Sequence, residues 1–151
     1  MKLITLLFCV LCFTACKTDD DNGIDCDLFD PANRNLFIEL VDGNGNNLIE
    51  NNTFVADDIK VLFNGNTITN VVFNDVEGIE NLIALSLIGE AGNNTFEIQL
   101  SSEITDTLIL NLKAESQICG WTFFSLNSAT YNDVLQTIED FNGNYIISVI
   151  R

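Results

Sequence analysis

The stretch Thr95-Phe96-Glu97-Ile98-Gln99-Leu100, with Thr107-Leu108-Ile109-Leu110-Asn111-Leu112 shortly after it, decides the fold. In the first run apolar and polar residues alternate, which puts Phe96, Ile98 and Leu100 on one face. In the second, Leu108, Leu110 and Leu112 share a face. A period of two marks a half-buried strand, because a helix repeats its apolar positions every three or four residues.

Working outward, the pattern recurs as short apolar runs divided by Asn, Gly and Asp. Residues 36–41 read as a first strand, and 48–49 as the start of a short second one that continues near Phe54. Residues 59–63 form a third, with Ile59, Val61 and Phe63 on one face. Asn64-Gly65 then stands before 67–73, and Asn-Gly between apolar runs is the strongest short hairpin signal. Residues 82–88 suit a central strand, 118–126 a strand carrying Cys119 and Trp121 on one side, and 145–150 the last. Around 131–140 two readings stay open. Tyr131, Val134, Leu135 and Ile138 follow helical spacing, and Thr130-x-x-Asp133 resembles a capping box, so one short helix is expected there; an irregular strand is the alternative. The expectation is an all-β chain forming a single immunoglobulin-like or prealbumin-like β-sandwich of seven to nine strands.

The chain is 151 residues long, enough for one domain with its own core. Its 22 acidic and 6 basic side chains give a net charge of −16, and 47% of its residues are apolar. Lys2, Lys17, Arg34, Lys60, Lys113 and Arg151 are scattered singly, which excludes a nucleic-acid partner, since that needs clustered cations. An anionic membrane surface would repel the body for the same reason. The absence of histidine removes the commonest general base, zinc ligand and nucleophile activator. No cofactor and no catalysis are expected, and the chain is expected to be monomeric.

Residues 1–15 read as a targeting segment: Met1-Lys2 is positive, residues 3–13 are uncharged and mostly apolar, and Thr14-Ala15 are small. The 11-residue apolar stretch is too short to span a bilayer, which needs about 20 residues. Phe13-Thr14-Ala15-Cys16 resembles the lipobox of bacterial lipoproteins, which implies lipidation of Cys16 by palmitate-type chains and a mature chain beginning there. Cleavage would remove Lys2 but no acid, taking the net charge from −16 to −17. The acidic run Lys17-Thr18-Asp19-Asp20-Asp21-Asn22-Gly23 is similar to the export signal of Bacteroidota lipoproteins. That similarity implies an outer-membrane protein anchored by lipid and exposed at the surface; a periplasm-facing anchor is the alternative. Two or more acyl chains would suffice for stable anchoring. The chain thus divides into a signal peptide (1–15), a lipidated cysteine with an acidic tether (16–34) and the sandwich domain (35–151).

Of five cysteines, Cys9 and Cys12 fall in the signal and Cys16 takes the lipid. Cys26 and Cys119 remain, an even pair in an oxidising compartment, so a disulfide is expected between them.

Other candidate sites are weaker. Asp42, Asn44 and Asn46 offer oxygens at alternate positions as calcium loops do, but Asn47 stands where an EF-hand needs glycine and Thr53 where it needs glutamate. Val41-Asp42-x-x-Gly45-x-x-Leu48 also resembles the first hairpin of prealbumin-like modules, which implies a sandwich and no catalysis. Asp57-Asp58 and Asp75-x-Glu77-x-x-Glu80 read as solvated surface rather than as a glycosidase pair. Trp121 reads as core packed beside the disulfide; the alternative is a sugar-stacking platform of Trp121, Phe123 and Phe124. Asp106-Thr107-Leu108 resembles the O-glycosylation motif of Bacteroidota exported proteins. The functional expectation is a membrane-anchored lipoprotein with a binding or envelope-structural role. Alternatives are a glycan- or peptide-binding accessory module of an uptake complex and a calcium-stabilised adhesion domain.

Overall fold

The computed structural model describes residues 25–28 and 33–151. Residues 1–15, expected to be a signal peptide, Cys16 and most of the expected 16–34 tether lie outside the described residues. The chain divides into two compact units, Met1–Pro31 and Ala32–Arg151. In the first, Cys26 sits in a turn closed by the Leu28 amide donating to the Asp25 carbonyl at 3.1 Å. The Asp25 carboxylate also accepts the Asp27 amide.

The second unit is a β-sandwich with ten strands among the described residues. In chain order they are β1 (Asn35–Val41), β2 (Lys60–Phe63), β3 (Asn66–Ile68), β4 (Ile83–Ser86), β5 (Gly92–Gln99), β6 (Thr105–Ile118), β7 (Trp121–Tyr131), β8 (Val134–Leu135), β9 (Glu139–Phe141) and β10 (Asn144–Ile150). One sheet runs β4-β1-β10-β9 and the other β3-β2-β5-β6-β7-β8. Neighbours pair antiparallel except β1 and β10, which run parallel in register Leu36↔Tyr145 to Val41↔Ile150.

The alternation read in 95–100 and 107–112 is what fills the interior. Phe96, Ile98, Leu100, Leu108, Leu110 and Leu112 are all buried in one core cluster, facing Leu36, Ile38 and Leu40 of β1 and Ile147 and Val149 of β10. Ile59 and Val61 join them, and Phe63 stacks on Phe96 with ring centroids 4.4 Å apart. Asn64 and Gly65 both hold positive φ, as the expected β2–β3 hairpin requires. Asn142-Gly143 does the same between β9 and β10.

Five expectations need correction. Residues 48–49 form no strand: the Asn47 side chain accepts the Ile49 and Glu50 amides, bending the chain into a turn that drops Leu48 and Ile49 into the core. The strand expected at 67–73 stops at Ile68, because Asn70 takes a left-handed conformation (φ 56°). Residues 82–88 supply β4, which closes one end of its sheet instead of lying at the centre. Residues 118–126 are not one strand: Cys119 and Gly120, both at positive φ, are the two turn residues between β6 and β7. No helix forms over 131–140. Asn132 and Asp133 both have positive φ, the geometry of a two-residue hairpin, and Tyr131 pairs with Val134 and Thr130 with Leu135. Helical spacing of four apolar residues cannot outweigh Asn-Asp, whose short side chains tolerate that conformation.

Candidate functional site

Asp106, at the start of β6, is only 3% exposed. Its carboxylate accepts hydrogen bonds from Tyr131 Oη at 2.8 Å, Arg151 Nε at 2.8 Å and Arg151 Nη2 at 2.6 Å, among others. The Arg151 guanidinium also lies over the Phe54 ring, 5.5 Å from its centroid. Burial alone would raise the Asp106 carboxyl. The hydrogen bonds from Arg151, Asn132 and Tyr131 and the Arg151 charge outweigh it, and the group is held below the usual carboxylate range. Burial first, then the Asp106 charge and hydrogen bond, push the Tyr131 phenol far above its ordinary value, so it stays neutral and donates. A carboxylate with both oxygens engaged and a phenol that will not ionise make a structural clamp between β6, β7 and the end of β10. Neither is poised for proton transfer.

Within Asp106-Thr107-Leu108 the flanking residues are buried and Thr107 is exposed. Its main chain is held on both sides by Asn132, through the Thr107 amide to Asn132 Oδ1 and the Asn132 amide to the Thr107 carbonyl, each 2.8 Å.

In the 42–46 loop, Asp42 is already occupied. Oδ1 accepts the Asn44 and Asn46 amides at 2.8 and 2.9 Å, and Oδ2 accepts Asn46 Nδ2 at 2.9 Å. These contacts, the Asn46 side chain first, hold its carboxyl below the ordinary range. Asn46 turns its amide nitrogens and not an oxygen toward Asp42, so the three candidate residues form a self-satisfied turn. Thermal midpoints in excess calcium and in chelator are therefore expected to coincide within error; a rise of several degrees with calcium would show a site this geometry does not provide.

Trp121 is 54% exposed, which corrects its reading as core. The two-residue alternation that put it beside Cys119 fails because Cys119 belongs to the turn. The β6–β7 hairpin also carries register shifts at Asn111/Leu112 and Ala114/Ser116, and past Leu112 the inward row gives way to exposed Ala114. Phe123 and Phe124 are half-buried. Trp121 and Phe123 share a strand face two residues apart. Cys26 and Cys119 are both disulfide-bonded. Asp57, Asp58, Asp75, Glu77 and Glu80 are exposed, as read from sequence.

The concavity best suited to an apolar ligand lies beside β4. It has a volume of about 510 Å³ and is lined by Asn35, Phe37, Ile68, Asn70, Val71, Phe73, Ile79, Ala84, Leu85, Ser86, Ile88 and Phe96. That volume falls within the range of ligand pockets, roughly 300–1,000 Å³, and the mix of an apolar wall with a few amide and hydroxyl groups matches them too. The groove between β8 and β10, by Arg151, is smaller at about 230 Å³. Phe73 and Ile88 are 40% and 36% exposed on the larger groove. Sequence reasoning missed this site because 67–73 and 82–88 both read as continuous strands, which hid the turn at Asn70 that opens it.

A small hydrogen-bonded knot ties the start of β5 to the turn that precedes it. Asn94 is buried; its Oδ1 accepts the Glu90 amide and its Nδ2 donates to the Glu90 and Gly92 carbonyls at 2.8 and 3.0 Å. Gly89, at φ +135°, lies so close that an added Cβ would sit 2.1 Å from Asn94 Oδ1. Gly89→Ala is accordingly expected to cost about 2–4 kcal/mol, from backbone strain plus the lost Asn94 bonds, read as a lower denaturation midpoint at unchanged slope. Among the described residues no group of three or more His, Cys, Asp or Glu side chains could hold a metal ion. No helix among them is long and apolar enough to cross a membrane. Comparison with protein-family models, curated proteins and solved structures finds no match.

Proposed function

We propose that this protein is an exported lipoprotein of the Bacteroidota type, anchored in the outer membrane through acylated Cys16, whose sandwich serves as a non-catalytic binding domain at the surface. The observation that carries the reading is the oxidised state of Cys26 and Cys119, which fits a compartment outside the reducing cytosol. The signal-like residues 1–15 and the small pair before Cys16 supply the anchor. The engagement of Asp106 by Arg151 and Tyr131 supports a structural use for the buried carboxylate. The groove beside β4 favours binding over a purely structural role. The self-occupied Asp42 turn makes the calcium-stabilised adhesion reading the weaker alternative.

Growth with an alkyne-tagged palmitate analogue tests the anchor. Label is expected on the wild-type chain and is expected to vanish in Cys16→Ser, with the mature mass starting at residue 16. A purified natural product that keeps residues 1–15 and carries no acyl mass would overturn the proposal.

A further inference from the structure

β4 carries an open main-chain edge along the groove. The Leu87 amide donates to the Arg34 carbonyl at 3.1 Å, so in this antiparallel ladder Leu87, Leu85 and Ile83 turn their backbone groups toward β1. Ala84 and Ser86 therefore turn theirs outward. The Ala84 amide is taken by the Val71 carbonyl at 2.7 Å, and Val72 bridges Ile83. The Val71–Val72 segment runs antiparallel to β4 and would next meet Ser86. Asn70, at φ 56°, bends the chain away before it does. No backbone group among the described residues pairs with Ser86 on that side, and the apolar wall of Phe73, Ile79 and Ile88 lies beside the gap.

The charge around the gap is mainly negative: Arg34 adjoins groove-lining Asn35, but its guanidinium is engaged by Tyr145, bonding the hydroxyl at 2.9 Å and lying over the ring. From Val61 to Leu112 the chain has no Lys or Arg, while Asp75, Glu77, Glu80 and Glu90 border the groove-lining residues and are exposed. A second copy of a chain with net charge −16 would meet this rim with its own negative field. We propose that the groove beside β4 receives an extended, cationic segment of another protein by strand addition. Its backbone continues the Val71–Val72 ladder along Ser86 toward Ile88, its apolar side chains enter the groove at alternate positions, and its Lys or Arg side chains reach the acidic rim. This rests on the binding-domain reading and names its partner class; it does not depend on the lipid anchor.

The test titrates the full chain with an eight-residue peptide alternating Lys and Val, followed by backbone amide NMR shifts and fluorescence anisotropy. Saturable shifts confined to 70–73 and 84–90 are expected. A peptide N-methylated at every second residue, which cannot complete the ladder, is expected to bind at least tenfold more weakly, and a Glu-Val peptide not measurably. Ser86→Pro should match the loss seen with the N-methylated peptide, because it removes an outward N–H that no strand uses and proline is tolerated on sheet edges. If that variant fails to fold, the N-methylated peptide carries the test alone. Equal binding of N-methylated and plain peptides, shifts centred away from β4, or concentration-dependent self-association abolished by Ser86→Pro would each overturn the proposal. Loss of acyl label on Cys16 with intact peptide binding would overturn the anchor and leave this inference standing.

Discussion

Replacing Asp106 by Ala is expected to lower the melting temperature by about 10–15 °C. The substitution leaves the Arg151 guanidinium and the Tyr131 hydroxyl facing a cavity with no acceptor. Breaking one side of a buried ion pair costs about 3–5 kcal/mol, and the lower end applies here because the Arg151 side chain is 28% exposed and can reach water. For a unit of this size about 3–4 kcal/mol corresponds to that shift in Tm. Asp106→Leu combined with Arg151→Met should recover much of the loss, since apolar replacement of both partners removes the stranded charge. A double variant no more stable than Asp106→Ala would show that the pair matters for a reason other than mutual neutralisation. The pH dependence has a definite sign. The folded-state carboxyl is depressed, so its contribution is complete above the unfolded value of about 3.9 and is lost as pH falls through the lower folded value. The Asp106→Ala variant should therefore show a flatter loss of stability below about pH 4 than the wild type, checked by denaturation midpoints as the pH is lowered.

The second large effect concerns the two oxidised cysteines. A Cys26–Cys119 pairing closes a loop of 93 residues, which on the chain-entropy model is worth about 4–5 kcal/mol before any native strain. Cys26→Ser with Cys119→Ser is expected to lower the unfolding free energy by that amount, read as a lower denaturant midpoint, while reductant added to wild type gives the same loss and added to the variant gives none. Intact mass should fall by two hydrogens on oxidation. A double variant as stable as the wild type would sink the entropic account, and two free thiols in unreduced protein would sink the pairing.

The sandwich was legible because its central strands obey the simplest rule in the sequence. Phe96, Ile98 and Leu100, then Leu108, Leu110 and Leu112, repeat with period two and all face the core. Three of the misreadings share one cause, which is positive-φ turn residues inside runs that look continuous. Asn70 and Cys119 at positive φ cut two apparent strands, and Asn132-Asp133 makes a hairpin where four apolar side chains imitate a helix. The clamp at Asp106 was invisible because its partners Tyr131 and Arg151 lie 25 and 45 positions away. Only strand order brings them together. The groove beside β4 was hidden by the Asn70 turn and by strand order, since an open edge is a property of which strand is missing.

The parallel pairing of β1 with β10 has a kinetic consequence. Register partners such as Glu39 and Ser148 are 109 positions apart, so one sheet cannot acquire its central pair until almost the whole polypeptide is in hand. Chains dominated by such distant contacts fold in milliseconds to seconds, because loop closure must precede the reward. The last strand therefore arrives late and acts as the bolt of its sheet.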